Sequence, residues 1–93
     1  MNIQVDVIVL GVPDGGAPRR LLSVGEAKWR EVMNLGHMAR LQQASDHLHR
    51  KGLDTRDTIF ALYGGAGFDA DLRSAAARDP LLLLVDLQTL YGD

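Results

Sequence analysis

Ile3, Val5, Val7 and Val9 alternate with Gln4, Asp6, Ile8 and Leu10, a period-two, β-branched pattern that predicts a strand over 3–10. Its second face is also mostly apolar and is expected to be buried; Asp6 is the one charge in the run. Pro13-Asp14-Gly15-Gly16-Ala17-Pro18 gathers turn formers, so a hairpin loop should join this strand to a second over 19–28. Simple alternation then places Leu22, Val24, Glu26 and Lys28 on one face and Leu21, Ser23, Gly25 and Ala27 on the other. From about Asn34 to Lys51 the period lengthens. Met38, Leu41, Ala44 or Ser45, and Leu48 recur at three and four residues, as on a helix buried along one side, and Gly52 after Arg50-Lys51 is a C-terminal stop. Thr58 to Tyr63 predicts a third strand, Gly64-Gly65-Ala66-Gly67 a turn, and Asp69 the cap of a short helix that runs through Ala77 and is broken at Asp79-Pro80. Leu81 to Val85 is expected to be a last strand buried on both faces, followed by a turn or short helix through Leu90-Tyr91.

The predicted order is thus a β hairpin, then α, β, α, β. Apolar strands joined by helices indicate an α/β protein with a partly parallel sheet and right-handed crossovers. At 93 residues, without a repeat or a linker-like segment, residues 1–93 form one domain. The longest apolar runs are strand-sized, far short of the roughly 18–20 residues that span a bilayer. Met1-Asn2-Ile3-Gln4 has no basic segment of the kind that opens a signal peptide, so a soluble, cytoplasmic protein is expected. The absence of cysteine excludes disulfides, cysteine-based zinc or iron–sulfur sites and thiol catalysis. A formal charge of −2 argues against a generic polyanion binder, yet residues 1–53 carry seven Lys/Arg against five Asp/Glu, whereas residues 54–93 carry three against seven. Any polyanion would be met by the first half.

The chemistry concentrates at the ends of the hairpin strands. A carboxylate buried in an apolar strand is costly unless paired or metal-bound, so Asp6 on one strand and Glu26-x-Lys28 on its neighbour point to a shared polar site. Two carboxylates suit a hard cation such as Mg²⁺, and a lysine beside them can orient or deprotonate an attacking water. The same residues also fit an ordinary strand-end ion pair with Asp6 at a solvated edge, because Glu-x-Lys is common. Arg30 and Arg40 either reach nucleic-acid phosphates beside that site or belong to a solvated helix face. His37, His47 and His49 contain no pair at i, i+4 and are expected at the surface. Gly64 to Gly67 lacks phosphate-loop spacing and reads as a turn requiring positive φ and close packing. Trp29 is expected to anchor the core where strand meets helix.

Asp6-Val7-Ile8-Val9, a hairpin, and Gly25-Glu26-Ala27-Lys28-Trp29 followed by a helix resemble the PD-(D/E)xK nuclease superfamily. With Lys51-Gly52, Tyr63-Gly64-Gly65-Ala66-Gly67-Phe68-Asp69-Ala70-Asp71-Leu72 and Leu82-Leu83-Leu84-Val85-Asp86-Leu87, nearly the whole chain is similar to the C-terminal nuclease-like domain of prokaryotic, archaeal-type AAA ATPases. The resemblance implies a restriction endonuclease-like mixed sheet flanked by helices, here without the family's usual first helix and strand. It implies Asp6 as the first metal carboxylate, Glu26 as the second, Lys28 as the catalytic lysine and the Ala27 carbonyl as a further ligand. Mg²⁺ or Mn²⁺ would be the cofactor, DNA the substrate, and an ATPase the parent or partner. The expected activity is endonucleolytic hydrolysis of DNA. The alternative is a catalytically idle module for nucleic-acid binding, regulation or oligomerisation. An open sheet edge further leads to the expectation of a homo-oligomer.

Overall fold

The computed structural model describes residues 6–91, so the predicted strand start at Ile3 to Val5 lies outside the described residues. The elements are β1 (Val7–Leu10), β2 (Leu21–Lys28), α1 (Leu35–Arg50), β3 (Ile59–Gly64), α2 (Ala70–Arg78), β4 (Leu82–Asp86) and α3 (Leu87–Tyr91). They form an α/β fold with one mixed sheet in the order β1-β2-β3-β4. β1 pairs antiparallel with β2 across the predicted hairpin, and β2–β3 and β3–β4 are parallel. A parallel neighbour requires a crossover, which α1 and α2 supply.

The core lies on one face of this sheet. Val24 of β2, Leu62 of β3 and Leu82 of β4 are buried against Leu41 of α1 and Leu72 of α2, with Met38 and Leu48 of α1 packed at the margin. The helix therefore faces inward along the predicted stripe of Met38, Leu41 and Leu48. The opposite face is apolar but open. Val7, Val9, Ile59 and Leu83 share it by register, and each is exposed. This corrects two expectations: β1 is exposed along its whole described length, and β4 is buried on one side only. Helices pack on β2, β3 and β4 but not on β1, and nothing in a strand's own sequence states how many faces its neighbours will cover.

The alternation on β2 is also corrected. The ladder pairs Val9 with Ser23 but Leu10 with Leu21, so Leu22 is an extra residue on β2. Such a bulge shifts the side-chain parity by one. Leu21 thereby joins Val24 in the core, where strict alternation had it on the opposite face.

Both ends of the long helix follow the sequence closely. Asn34 caps α1, its Oδ1 accepting from Gly36 N–H at 2.8 Å, and Lys51 N–H and Gly52 N–H close the other end on His47 and His49 carbonyls. His37 departs from expectation. It is buried, not at the surface, because its Nδ1 accepts the Asn34 N–H at 3.0 Å and completes a capping box. That bond requires an unprotonated Nδ1, which leaves the Nε2 side facing Glu31 Oε2 at 3.3 Å.

Candidate functional site

Glu26 follows Val24 on the helix-covered face of β2, so strand alternation carries its carboxylate inward, under α1. Only 2% of it is exposed. Its Oε1 lies 3.6 Å from Lys28 Nζ, two residues along the same face, and 3.6 Å from Arg40 Nη2, which descends from α1. Among the described residues its Oε2 is buried without a hydrogen-bond partner. Leaving a buried carboxylate oxygen unmatched is unfavourable, so the position is one a ligand would complete.

Asp6 stands directly before β1 and brackets Glu26. Its N–H donates to the Gly25 carbonyl at 2.9 Å, and its Oδ2 accepts the Ala27 N–H at 2.8 Å. The carboxylate thus serves as acceptor for a backbone amide of the neighbouring strand. Asp6 is exposed, which corrects the premise that a buried charge calls for compensation there: the edge position leaves it open to water, and the cost of burial falls on Glu26 alone. Within an extended strand the N–H and C=O of one residue project toward the same neighbour, so the Ala27 carbonyl also faces the Asp6 side of β2.

The hairpin therefore brings together Asp6, Glu26, Ala27 and Lys28, and α1 adds Arg40. The formal charges are two negative and two positive. Arg30 is exposed on the loop after β2, and no hydrogen bond or ion pair joins it to this group among the described residues. No cluster of three or more His, Asp or Glu gathers at one point among the described residues. The donor set is two carboxylates, and its chemistry fits a hard divalent ion: one orphaned buried oxygen on Glu26, one oxygen of Asp6 outside its bond to Ala27, and a nearby carbonyl.

Trp29 was expected in the core but is 55% exposed. Its position is nevertheless fixed. A Cβ on Gly65 would lie 2.7 Å from both Trp29 Cε3 and the Trp29 carbonyl oxygen, and Gly65 N–H donates to the Lys28 carbonyl at 2.8 Å. Gly65 is therefore what allows the end of β2 to close on the β3–α2 turn. Gly67, at φ +88°, supplies the left-handed residue of that turn, as its glycine content foretold.

Two features were not read from the sequence. The pairing of Arg40 with Glu26 depends on where α1 crosses β2, and no local pattern encodes it. At the other end of β2, a cavity of about 480 Å³ is lined by Gly11, Val12, Pro18, Arg20, Asp54 and Arg56. Its arginines are already matched, Arg56 with Asp54 at 3.0 Å and Arg20 with Asp57 at 3.9 Å. The signal that could have found it is the Asp54-x-Arg56 spacing after the helix.

No protein family, curated protein or solved structure matches the chain. Its described residues contain no helix long and apolar enough to cross a membrane.

Proposed function

We propose that the chain is a metal-dependent nuclease domain of the restriction endonuclease-like, PD-(D/E)xK kind, acting on DNA. The observation that carries this is the buried Glu26, tied through Oε1 to Lys28 while Oε2 lacks a partner among the described residues, with Asp6 bracketing it across the hairpin. The hairpin, crossover helix and parallel third strand are consistent with that superfamily. Asp6, Glu26 and the Ala27 carbonyl would hold Mg²⁺ or Mn²⁺, which when bound supplies Lewis-acid activation of water and phosphate. Lys28, about one-third exposed, would orient the attacking water and balance charge that develops on the phosphate. Arg30 and Arg40 would contact the DNA backbone, and an ATPase would be the partner or parent. The test is hydrolysis of labelled DNA with Mg²⁺, Mn²⁺ or EDTA. Cleavage should require the metal and fall on the order of 100-fold or more in Lys28→Ala. Metal-independent cleavage, or full activity in Lys28→Ala and Glu26→Gln, would reject the proposal.

A second reading is favoured by the open apolar face of the sheet. Parallel sheets are almost always covered on both sides, so a module that associates through this face, with or without catalysis, accounts for Val7, Val9, Ile59 and Leu83.

A further inference from the structure

We propose that Arg40 and a divalent cation alternate as the counter-charge of Glu26, so that Arg40 holds the buried carboxylate when the ion is away and leaves it when the ion binds. The inference rests on the metal site of the proposed function and adds a residue that governs its occupancy.

Glu26 is too buried to be left charged without compensation, and the two cations near it are not equivalent. Lys28 belongs to the same strand and the same face, so the backbone keeps it there. Arg40 reaches over from α1 on a long stem, its side chain 45% exposed, and among the described residues this ion pair is the one interaction that holds its guanidinium. At 3.6 Å the contact is looser than the 2.7–2.9 Å typical of a charge-assisted hydrogen bond. Arg40 is thus poised at the carboxylate but not locked to it.

Charge decides the exchange. Asp6 and Glu26 against Lys28 and Arg40 sum to zero, so a divalent ion placed between the carboxylates would leave the group at +2 with two cations in close range. Departure of Arg40 relieves part of that repulsion, and solvent beyond the exposed half of its side chain can receive it. Oε2, buried and without a hydrogen-bond partner among the described residues, is the oxygen the ion would take as Arg40 leaves Oε1 and opens the way to the carboxylate. Once free, the guanidinium is available to a phosphate oxygen, so ion binding would also prepare the site for a polyanion.

The experiment titrates Mn²⁺ into the full chain by calorimetry and records melting temperature with and without Mn²⁺, for the wild type, Arg40→Gln and Arg50→Gln. Arg50 is an exposed cation at the far end of the same helix, so its variant matches the change in net charge. Arg40→Gln should bind Mn²⁺ about tenfold more tightly than the wild type, within the usual range of coupling between sites. It should melt lower than the wild type without the ion and gain more from it, while Arg50→Gln follows the wild type. If Arg40→Gln does not fold alone, recovery of its fold by Mn²⁺ is the expected result, and failure to recover overturns the exchange. Equal or weaker binding in Arg40→Gln, or an equal gain in Arg50→Gln, overturns the exchange while the metal site stands. Absence of Mn²⁺ binding in all three removes the metal site itself, and the exchange with it.

Discussion

Glu26 and Asp54 are both carboxylates beside arginines, but geometry gives them different tasks. Asp54 is held by a two-pronged contact: Oδ1 accepts from Arg56 Nε and Oδ2 from Arg56 Nη2, at 3.1 and 3.0 Å, and the Arg56 N–H adds a third bond at 3.1 Å. These bonds, the side-chain pair first, lower the Asp54 carboxyl to a pKa of about 2. A folded-state value below the unfolded one near 4 means that the contact stabilises the fold fully above about pH 4, and that this contribution fades as pH falls through 2. An NMR titration should place the Asp54 midpoint near 2 and move it up toward 4 in Arg56→Gln. The stability difference between that variant and the wild type should be present at neutral pH and vanish in strong acid. An unmoved midpoint would show that Arg56 is not the cause.

The elements are joined by contacts that tolerate little change. At Gly65 an added methyl would meet the backbone of Trp29 at 2.7 and 2.9 Å, atoms that cannot turn aside as a side-chain tip can. Gly65→Ala should therefore cost about 1–3 kcal/mol in urea unfolding, as other overpacked positions do. Asn34→Ala removes the acceptor at the start of α1 and should cost about 1 kcal/mol. A neutral result at Gly65 would mean that the β2 end and the β3–α2 turn are not packed as closely as described. The ends of both main helices were legible in Asn34, Gly52, Asp69 and Asp79-Pro80, because caps and breakers act on their own neighbours. The burial of His37 was not, since a histidine in the third position of a helix completes a capping box only when its ring turns back onto the cap.

At the scale of the molecule, the sheet is built on one side and bare on the other. Leu83, on the edge strand β4, is 49% exposed at one end of a row that runs through the buried Ala61 and Gly25 to the exposed Val7 on β1. Exposed apolar rows of this kind mark association surfaces. Sedimentation at tens of micromolar should detect a dimer or larger species in the wild type, and Leu83→Asp should shift it toward monomer. A wild-type monomer across that range would count against both the expected homo-oligomer and association of copies through this face.

The sequence by itself determined the order of strands and helices, their ends and the parallel pairing, because β-branched runs, helical periodicity and turn residues act over a few positions. It also singled out Glu26 and Lys28, whose spacing puts them on one face of any regular strand. Only the tertiary structure decided which face the helices cover, how Leu22 reverses the parity of β2, that Asp6 remains exposed while Glu26 is buried, and that Arg40 meets Glu26. Each of these depends on where one element lies across another. That placement follows from the summed packing of the whole core, which no short stretch of the chain contains.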